Sequence, residues 1–202
     1  QKHDYEHALE YYQRIQASAA GADASLEKAI AETTLRKLEH AIEHLDPNTP
    51  DYAALFVQLQ AQRTEYQLVE CRDRVDRYPT DLQFRFELGR LLFHAEKISE
   101  AIQELQKAQA NPQRKLQAMS LLAQCFAKRG MNDMAARKLQ EALREKQVFD
   151  DEKKEMIYTL GCVLEAMGKT EEAIEQFKQI YEVDIGYKDV GAKVDAYYSG
   201  QR

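Results

Sequence analysis

The sequence predicts an all-α protein, a right-handed solenoid of antiparallel helix pairs, from two observations. The first is composition: the 202 residues include only 8 Gly and 4 Pro, and 31% of them are charged, which is typical of helical proteins. The second is an internal repeat, because one pattern is written three times between Leu88 and Ile180. Its period is that of a helix–turn–helix unit, and such units stack into solenoids.

The three copies of the pattern begin at Leu88, Leu122 and Leu160, so they lie 34 and 38 residues apart. In each copy a small residue directly follows the leucine. An alanine comes twelve residues after the small residue, and a bulky apolar residue comes four residues after the alanine. These triplets are Gly89, Ala101 and Leu105, then Ala123, Ala135 and Leu139, then Gly161, Ala173 and Phe177. The small residue should let the paired helix approach closely, so a larger side chain there is expected to overpack the contact.

This pattern resembles the tetratricopeptide repeat (TPR) family, bacterial type, with agreement at four places in each copy. The resemblance implies that each unit consists of a helix A and a helix B. It also implies that three units occupy residues 81–181, at about 82–115, 116–149 and 154–187. The four extra residues before the third copy should lengthen a loop or a helix end.

Residues 1–20 are predicted to form the second helix of a preceding repeat, with Ala8 at the place that Ala173 takes in the third copy. The chain starts at Gln1, not at a methionine, and it starts in helical pattern. We therefore expect it to be a piece of a longer protein, in which the first helix of that repeat lies upstream.

Residues 21–80 match the repeat poorly and predict a long helical hairpin or a degenerate repeat. Its first helix should run over about 24–45, with Asp23 as the N-cap. The proline-containing segment 46–50 should end this helix, because proline lacks an N–H group and restricts the residue before it. The second run, 51–78, contains neither Gly nor Pro, so it predicts one long helix or a bent pair.

Short turns separate helix A from helix B in the three units. Gly130 and Gly168 occupy equivalent places, where we expect a positive φ at the end of helix A. Glu96 stands at that place in the first copy, so its turn should differ. The expected N-caps are Asp81 or Thr80 for the first helix A, and Ser99, Asn132 or Asp133, and Thr170 for the B helices.

Residues 182–202 depart from the repeat pattern. Gly186 should break the helix, and a short helix over 189–198 would place Val190 and Val194 on one side. A repeat stack needs a terminal element that covers its last apolar surface. We therefore predict a capping helix and a tail in this segment.

Charge is distributed unevenly along the chain, whose net charge is −6. Residues 82–149 carry 12 basic and 7 acidic groups, whereas the segments before and after are acidic. A basic middle part can attract an acidic partner or align two copies head to tail, and its simpler interpretation is a solvated outer surface. No dense Lys/Arg stripe is interleaved with aromatic residues, so we expect no nucleic-acid binding.

No apolar run approaches the roughly 20 residues that cross a bilayer, so we expect no membrane segment in this span. The three cysteines are dispersed within helical pattern, at Cys71, Cys125 and Cys162. An odd, dispersed set favours reduced thiols that pack as small apolar residues, and hence a cytoplasmic location.

Motifs for catalysis are missing from the sequence: it has no Gly-rich phosphate loop, no nucleophile elbow and no zinc-type Cys/His spacing. Two histidine pairs, His3/His7 and His40/His44, have the i, i+4 spacing that can hold a metal ion. Both pairs lie on polar faces, so we interpret them as surface histidines. We expect no enzymatic activity, no cofactor and no metal site.

The TPR resemblance implies a binding surface, since in that family the A helices line a concave groove that takes an extended or helical peptide. Carried over position by position, the groove residues are Gln83, Phe86, Arg90 and Phe93, then Gln117, Ser120 and Gln124 with Lys128 at the rim, then Tyr158, Cys162 and Glu165. Family members that bind acidic chaperone tails have Lys, Asn and Arg at these places. Only Arg90 is basic among the matching positions, which disfavours that class of partner.

The sequence therefore predicts a non-catalytic scaffold that binds a peptide or helix of another protein in its concave face. A simpler interpretation is that several groove residues pack against the neighbouring unit or the capping helix. Two other functions stay open. The chain could be a self-assembly module that forms homo-oligomers through the hairpin or its charged ends, or a regulatory arm of a larger protein.

Overall fold

The computed structural model describes residues 4–18 and 24–200, and in these ranges it contains ten α-helices and no strand. The all-α prediction is confirmed. Asp23, the expected N-cap of the second helix, lies outside the described residues. Every helix within the described ranges is too short or too polar to span a membrane. The chain divides into two compact units, residues 1–77 and residues 78–202.

The first unit contains three helices, α1 Tyr5–Ser18, α2 Ala24–Glu43 and α3 Tyr52–Arg77. Helix α2 packs against both α1 and α3. Helix α3 is a single helix of 26 residues, which is about 39 Å long at 1.5 Å per residue. In the turn before it, the Asp46 carboxylate accepts the N–H of Asn48 at 2.9 Å. Arg77 at the end of α3 contacts Glu27 near the start of α2, as an antiparallel hairpin requires.

The second unit contains seven helices, α4 Leu82–His94, α5 Ile98–Ala108, α6 Lys115–Lys128, α7 Asn132–Glu145, α8 Asp151–Ala166, α9 Thr170–Tyr181 and α10 Val190–Ser199. The pairs α4/α5, α6/α7 and α8/α9 form repeats 1, 2 and 3, and α10 packs against α9. Contacts of α5 with α6 and of α7 with α8 join successive repeats. The A helices α4, α6 and α8 also contact one another in turn, so they share one side of this solenoid.

Close contact within each helix pair depends on the small residue of the repeat pattern. A Cβ atom added to Gly89 would lie 2.7 Å from Cγ of Leu105. One added to Gly161 would lie 2.4 Å from Cε1 of Phe177. Both distances are shorter than packed atoms tolerate, so the sequence-based expectation of overpacking at these glycines has a definite steric cause.

All three A-to-B turns have the same geometry, and the prediction of a different first turn is wrong. Gly130 and Gly168 have φ values of 74° and 75°, as expected, and Glu96 has a φ of 58°. In the first turn the N–H of Lys97 donates to the carbonyl of Leu92 at 2.9 Å, and the other two turns contain the same bond. This is a Schellman motif, which satisfies the free carbonyls at the end of helix A. Glu96 adopts the left-handed conformation that glycine takes elsewhere.

The N-cap predictions have mixed outcomes. Asp81 caps α4 as expected, because its carboxylate accepts the N–H groups of Gln83 at 2.8 Å and Phe84 at 3.3 Å. The predicted caps of the B helices, Ser99, Asn132, Asp133 and Thr170, are wrong, since all of them lie in the first helical turn. The cap positions are Lys97, Met131 and Lys169, with no side-chain bond. The Schellman turn leads directly into helix B and fixes its start by backbone geometry.

The extra residues between the second and third copies lengthen helix ends. Helix α7 has 14 residues where α5 has 11, and α8 has 16 where α6 has 14. Asp150 caps the extended α8, because its carboxylate accepts the N–H of Lys153 at 3.0 Å.

Replacing Glu96 by glycine should stabilise the protein, because a non-glycine residue in the left-handed region is strained by about 1 kcal/mol. The substitution also removes the ion pair between Glu96 and Lys128. Glu96→Gln is the matched control, since it loses the ion pair and keeps the strain. We expect urea unfolding to show Glu96→Gly about 1 kcal/mol more stable than Glu96→Gln. A glycine variant no more stable than the glutamine variant would contradict this.

Candidate binding cleft

A cleft of about 640 Å³ lies on the A-helix side of the second unit, and we call it the α4–α6 cleft. It is open to solvent, and its floor and walls come from α4, α6, the residue before α6 and the start of α8. The lining residues are Gln83, Phe86, Glu87, Arg90, Arg114, Gln117, Ser120, Leu121, Gln124, Glu152 and Glu155.

The cleft brings together six of the residues that the TPR resemblance implied, namely Gln83, Phe86, Arg90, Gln117, Ser120 and Gln124. On each helix the three residues are spaced by three or four positions, so their side chains lie along one face. Phe86 and Ser120 are buried and form part of the floor, whereas Arg90 is exposed at the rim.

Arg114 is a cleft residue that the sequence reasoning missed. Its Nε donates to Oε1 of Gln83 at 2.9 Å, and another guanidinium nitrogen donates to Oε1 of Gln117 at 2.9 Å. Its guanidinium carbon lies 5.5 Å from the ring centroid of Phe86. Both acceptors are neutral amides, so within the described ranges the positive charge of Arg114 has no carboxylate partner. Arg114 thereby joins repeats 1 and 2 and adds a cation to the cleft.

Three polar side chains in the cleft keep their bonding capacity for a ligand. In the part of the chain that the structure describes, Arg90, Ser120 and Gln124 make no side-chain hydrogen bond or ion pair. Ser120 is only 8% exposed, so an unbonded hydroxyl there is partly shielded from water. The three side chains are therefore open to new hydrogen bonds from the cleft side.

The carboxylates of the cleft are already bonded to the chain itself. Glu87 accepts the amide of Gln83 at 2.9 Å, and Glu152 pairs with Lys146. Glu155 at the far end accepts from Tyr187 and Lys188, which belong to residues 182–200, called here the C-terminal segment. The guanidinium groups of Arg90 and Arg114 are therefore the charges that remain for a ligand.

The A helix of repeat 3 is covered by the chain's own C-terminal segment. Oε2 of Glu155 accepts the hydroxyl of Tyr187 at 2.7 Å and Nζ of Lys188 at 2.5 Å. Burial raises the pKa of Glu155, but the bonds from Lys188 and Tyr187 outweigh it and hold the pKa below its usual value. The ammonium of Lys188 also lies 4.2 Å from the ring centroid of Tyr158.

The same segment contacts the third-repeat residues that the family resemblance implied. The hydroxyl of Tyr158 donates to Asp189 at 2.7 Å, and Lys193 donates to Glu165 at 2.6 Å. Burial raises the pKa of Tyr158 and of the neighbouring Cys162 thiol, so both stay protonated at neutral pH. Tyr158, Cys162 and Glu165 thus lie beside the C-terminal segment and outside the lining of the α4–α6 cleft.

Phe93 and Lys128, the two remaining predicted residues, also lie outside the lining of the cleft. Phe93 is 8% exposed, and the ammonium of Lys128 lies 5.1 Å from its ring centroid. Lys128 pairs with Glu96 as well. Both residues therefore hold the A-to-B turn of repeat 1 against repeat 2.

The histidines and one of the cysteines have surroundings that the structure describes. In residues 4–18 and 24–200, no group of three or more His, Cys, Asp or Glu side chains is arranged to hold a metal ion. His40 and His44 stack on each other with ring centroids 3.9 Å apart. Burial raises the pKa of the Cys125 thiol to about 11, and a protonated thiol is a poor nucleophile.

In a comparison with known protein families, a tetratricopeptide repeat model matches residues 74–115. That segment contains α4 and α5, which form repeat 1. A comparison with curated protein sequences gives no significant match.

Solved structures with the same fold are more numerous. A crystal structure of MamA has 18% sequence identity and a TM-score of 0.61, covering 72% of this chain and 83% of that one. MamA from residue 41 onward, from Desulfovibrio magneticus RS-1, has 18% identity, a TM-score of 0.56, and coverages of 90% and 96%. TTC0263, a thermophilic TPR protein of Thermus thermophilus, has 17% identity, a TM-score of 0.54, and coverages of 95% and 97%. At these identities the likeness shows the fold.

Proposed function

We propose that this chain, which is a tetratricopeptide repeat protein, is a non-catalytic scaffold that binds a segment of another protein in the α4–α6 cleft. TPR proteins are in general scaffolds for protein–protein interaction. The observation that carries the proposal is the open cleft between repeats 1 and 2, in which unbonded polar side chains lie beside the apolar side chains of Phe86 and Leu121.

The chemistry of the cleft favours a peptide with an apolar anchor and an acidic side chain. Phe86 and Leu121 offer apolar surface for the anchor. Ser120 and Gln124 can donate to and accept from a peptide backbone. Arg90 and Arg114 can form charge-assisted hydrogen bonds with a carboxylate, which are about twice as strong as neutral ones.

Reversing the charge of Arg90 should weaken partner capture about tenfold or more, because a charge-assisted hydrogen bond contributes roughly 1.5–3 kcal/mol and 1.4 kcal/mol is tenfold in affinity. The measurement is affinity capture by the unchanged protein and by Arg90→Glu, with quantitative mass spectrometry of what is retained. Arg129→Glu is the matched control, since Arg129 is also an exposed arginine but lies at the C-terminal end of α6. Equal retention by all three proteins would argue against the cleft as the binding site.

A further inference from the structure

A second surface of the second unit has the features of a docking site, and it is built by the B helices over floor residues of α6 and α8. Two grooves flank α7: one of about 280 Å³ lies between α5 and α7, and one of about 400 Å³ lies between α7 and α9. We call α7 with these two grooves the B-helix face. The cleft residues of α4 and α6 take no part in it.

Each groove has an apolar floor and a polar rim. Leu122 and Phe126 form the floor of the first, and both are at most 8% exposed. Ile157 and Leu160 form the floor of the second, and both are at most 2% exposed. Met134 lies in the first groove with 42% of its surface exposed. A flexible, exposed methionine suits contact with a partner's apolar side chains.

The charges of the B-helix face are mainly positive. Arg137, Lys138, Arg144 and Lys153 line the grooves, and Glu141 is the one carboxylate among the lining residues. Glu141 is paired with Lys138 at 2.8 Å. Within the described ranges the guanidinium groups of Arg137 and Arg144 have no hydrogen-bond or ion-pair partner. This face is therefore a source of the positive charge of the basic middle segment.

The spacing of the two free guanidinium groups specifies the shape of an occupant. Arg137 and Arg144 are seven residues apart on α7, so they lie on the same face about two turns, or roughly 10.5 Å, apart. A helix that runs alongside α7 with carboxylates at positions i and i+7 places one carboxylate opposite each arginine. Apolar side chains next to those carboxylates would meet Met134 in the first groove.

We propose that the B-helix face binds an acidic amphipathic helix of a partner protein, independently of the α4–α6 cleft. Charge complementarity supports this class of occupant, because four cations and one paired carboxylate line the two grooves. The two surfaces share no lining residue, although α6 and α8 contribute to both, so one chain can hold two partner segments at the same time.

The test uses a synthetic amphipathic helix of about five turns with Glu on its polar face, and a counterpart with Lys in place of Glu. The chain has 5 methionines, and Met134 is in the groove while Met119 and Met156 are fully buried. With methyl-¹³C methionine, we expect the acidic peptide to shift the Met134 signal and leave the signals of Met119 and Met156 unchanged. The basic peptide should shift none of them.

Two variants distinguish peptide binding at the B-helix face from binding in the α4–α6 cleft. Arg137→Glu/Arg144→Glu should weaken binding of the acidic peptide at least tenfold, and Arg90→Glu should leave it within twofold. The substituted arginines lie at the surface and are not part of the buried core, so circular dichroism should show unchanged melting temperatures. If the Arg90→Glu variant loses partner capture but keeps the peptide, the two surfaces are independent, as proposed.

Four outcomes would overturn the inference. The first is an unshifted Met134 signal, and the second is equal binding of the basic peptide. The third is a short single-stranded nucleic acid that binds the same face more tightly than the acidic peptide. The fourth is sedimentation of an oligomer that becomes monomeric in Arg137→Glu/Arg144→Glu, because the occupant would then be a second copy of this chain.

Discussion

Gly161→Ala is expected to destabilise the protein by about 2 kcal/mol, although alanine is the better helix former. The added Cβ would lie 2.4 Å from Cε1 and 2.6 Å from Cζ of Phe177, whose ring is fully buried. Overpacking of this kind opposes folding by about 1–3 kcal/mol, and the gain in helix propensity offsets at most about 1 kcal/mol. Urea unfolding at equilibrium measures the difference. Gly89→Ala should be milder, because the nearest atoms belong to the flexible Leu105 side chain, at 2.7 Å and 2.9 Å.

A second substitution should rescue Gly161→Ala. Repeat 2 has alanine and leucine, Ala123 and Leu139, at the places that Gly161 and Phe177 take in repeat 3. Phe177→Leu alone should destabilise by about 1 kcal/mol or more through lost packing. The double variant should be more stable than the sum of the two losses predicts, with a coupling of about 1–2 kcal/mol. Additive losses would show that the Gly161–Phe177 contact does not set the spacing of the helix pair.

Val190→Asp is expected to detach the C-terminal segment from repeat 3. Val190 has no exposed surface, and α10 packs against α9. An unpaired carboxylate in such a place opposes packing by about 3 kcal/mol or more. Because terminal elements of repeat proteins contact only their neighbours, the opening should be local. Amide hydrogen exchange in 190–199 should therefore accelerate about 100-fold, since 1.4 kcal/mol is tenfold, while α4–α7 exchange as before.

Val183→Asp is the matched control for that substitution, because Val183 is in the adjoining turn but 63% exposed. It should leave exchange in 190–199 unchanged. Two results would contradict the account of a covering segment. One is unchanged exchange in Val190→Asp, and the other is cooperative unfolding of all three repeats together.

Much of the second unit could be predicted from the sequence because its determinants are local. The small residue, the alanine and the bulky residue recur at fixed spacing, and this spacing determines both helices of a pair and the contact between them. Gly130 and Gly168 indicated the positive φ of their turns. Glu96 did not, since the residue type at that place no longer shows the backbone conformation that the Schellman bonds impose.

The parts of the candidate site that the sequence did not predict depend on contacts between repeats. Arg114 lies before α6, outside the apolar pattern, and reaches Gln83 of the preceding repeat. The sequence offers one indication of this contact: Arg114 and Gln83 are 31 residues apart, which is close to the repeat period. The covering of Tyr158 by Asp189 likewise joins a repeat to a segment without the pattern. Periodicity places residues on helix faces, but it does not show which segment occupies the groove in front of them.

The central claim is that the α4–α6 cleft holds a segment of a partner protein, and site-specific photo-crosslinking tests it most directly. A benzophenone amino acid at Gln124, inside the cleft, is compared with one at Val183, which is exposed in the turn before α10. We predict that irradiation in extract of the source cells crosslinks a partner protein to the benzophenone at position 124. Arg90→Glu should reduce the amount of this crosslinked product about tenfold. The benzophenone at position 183 should give no crosslinked product. No crosslinked partner from position 124, or one that Arg90→Glu leaves undiminished, would contradict the claim.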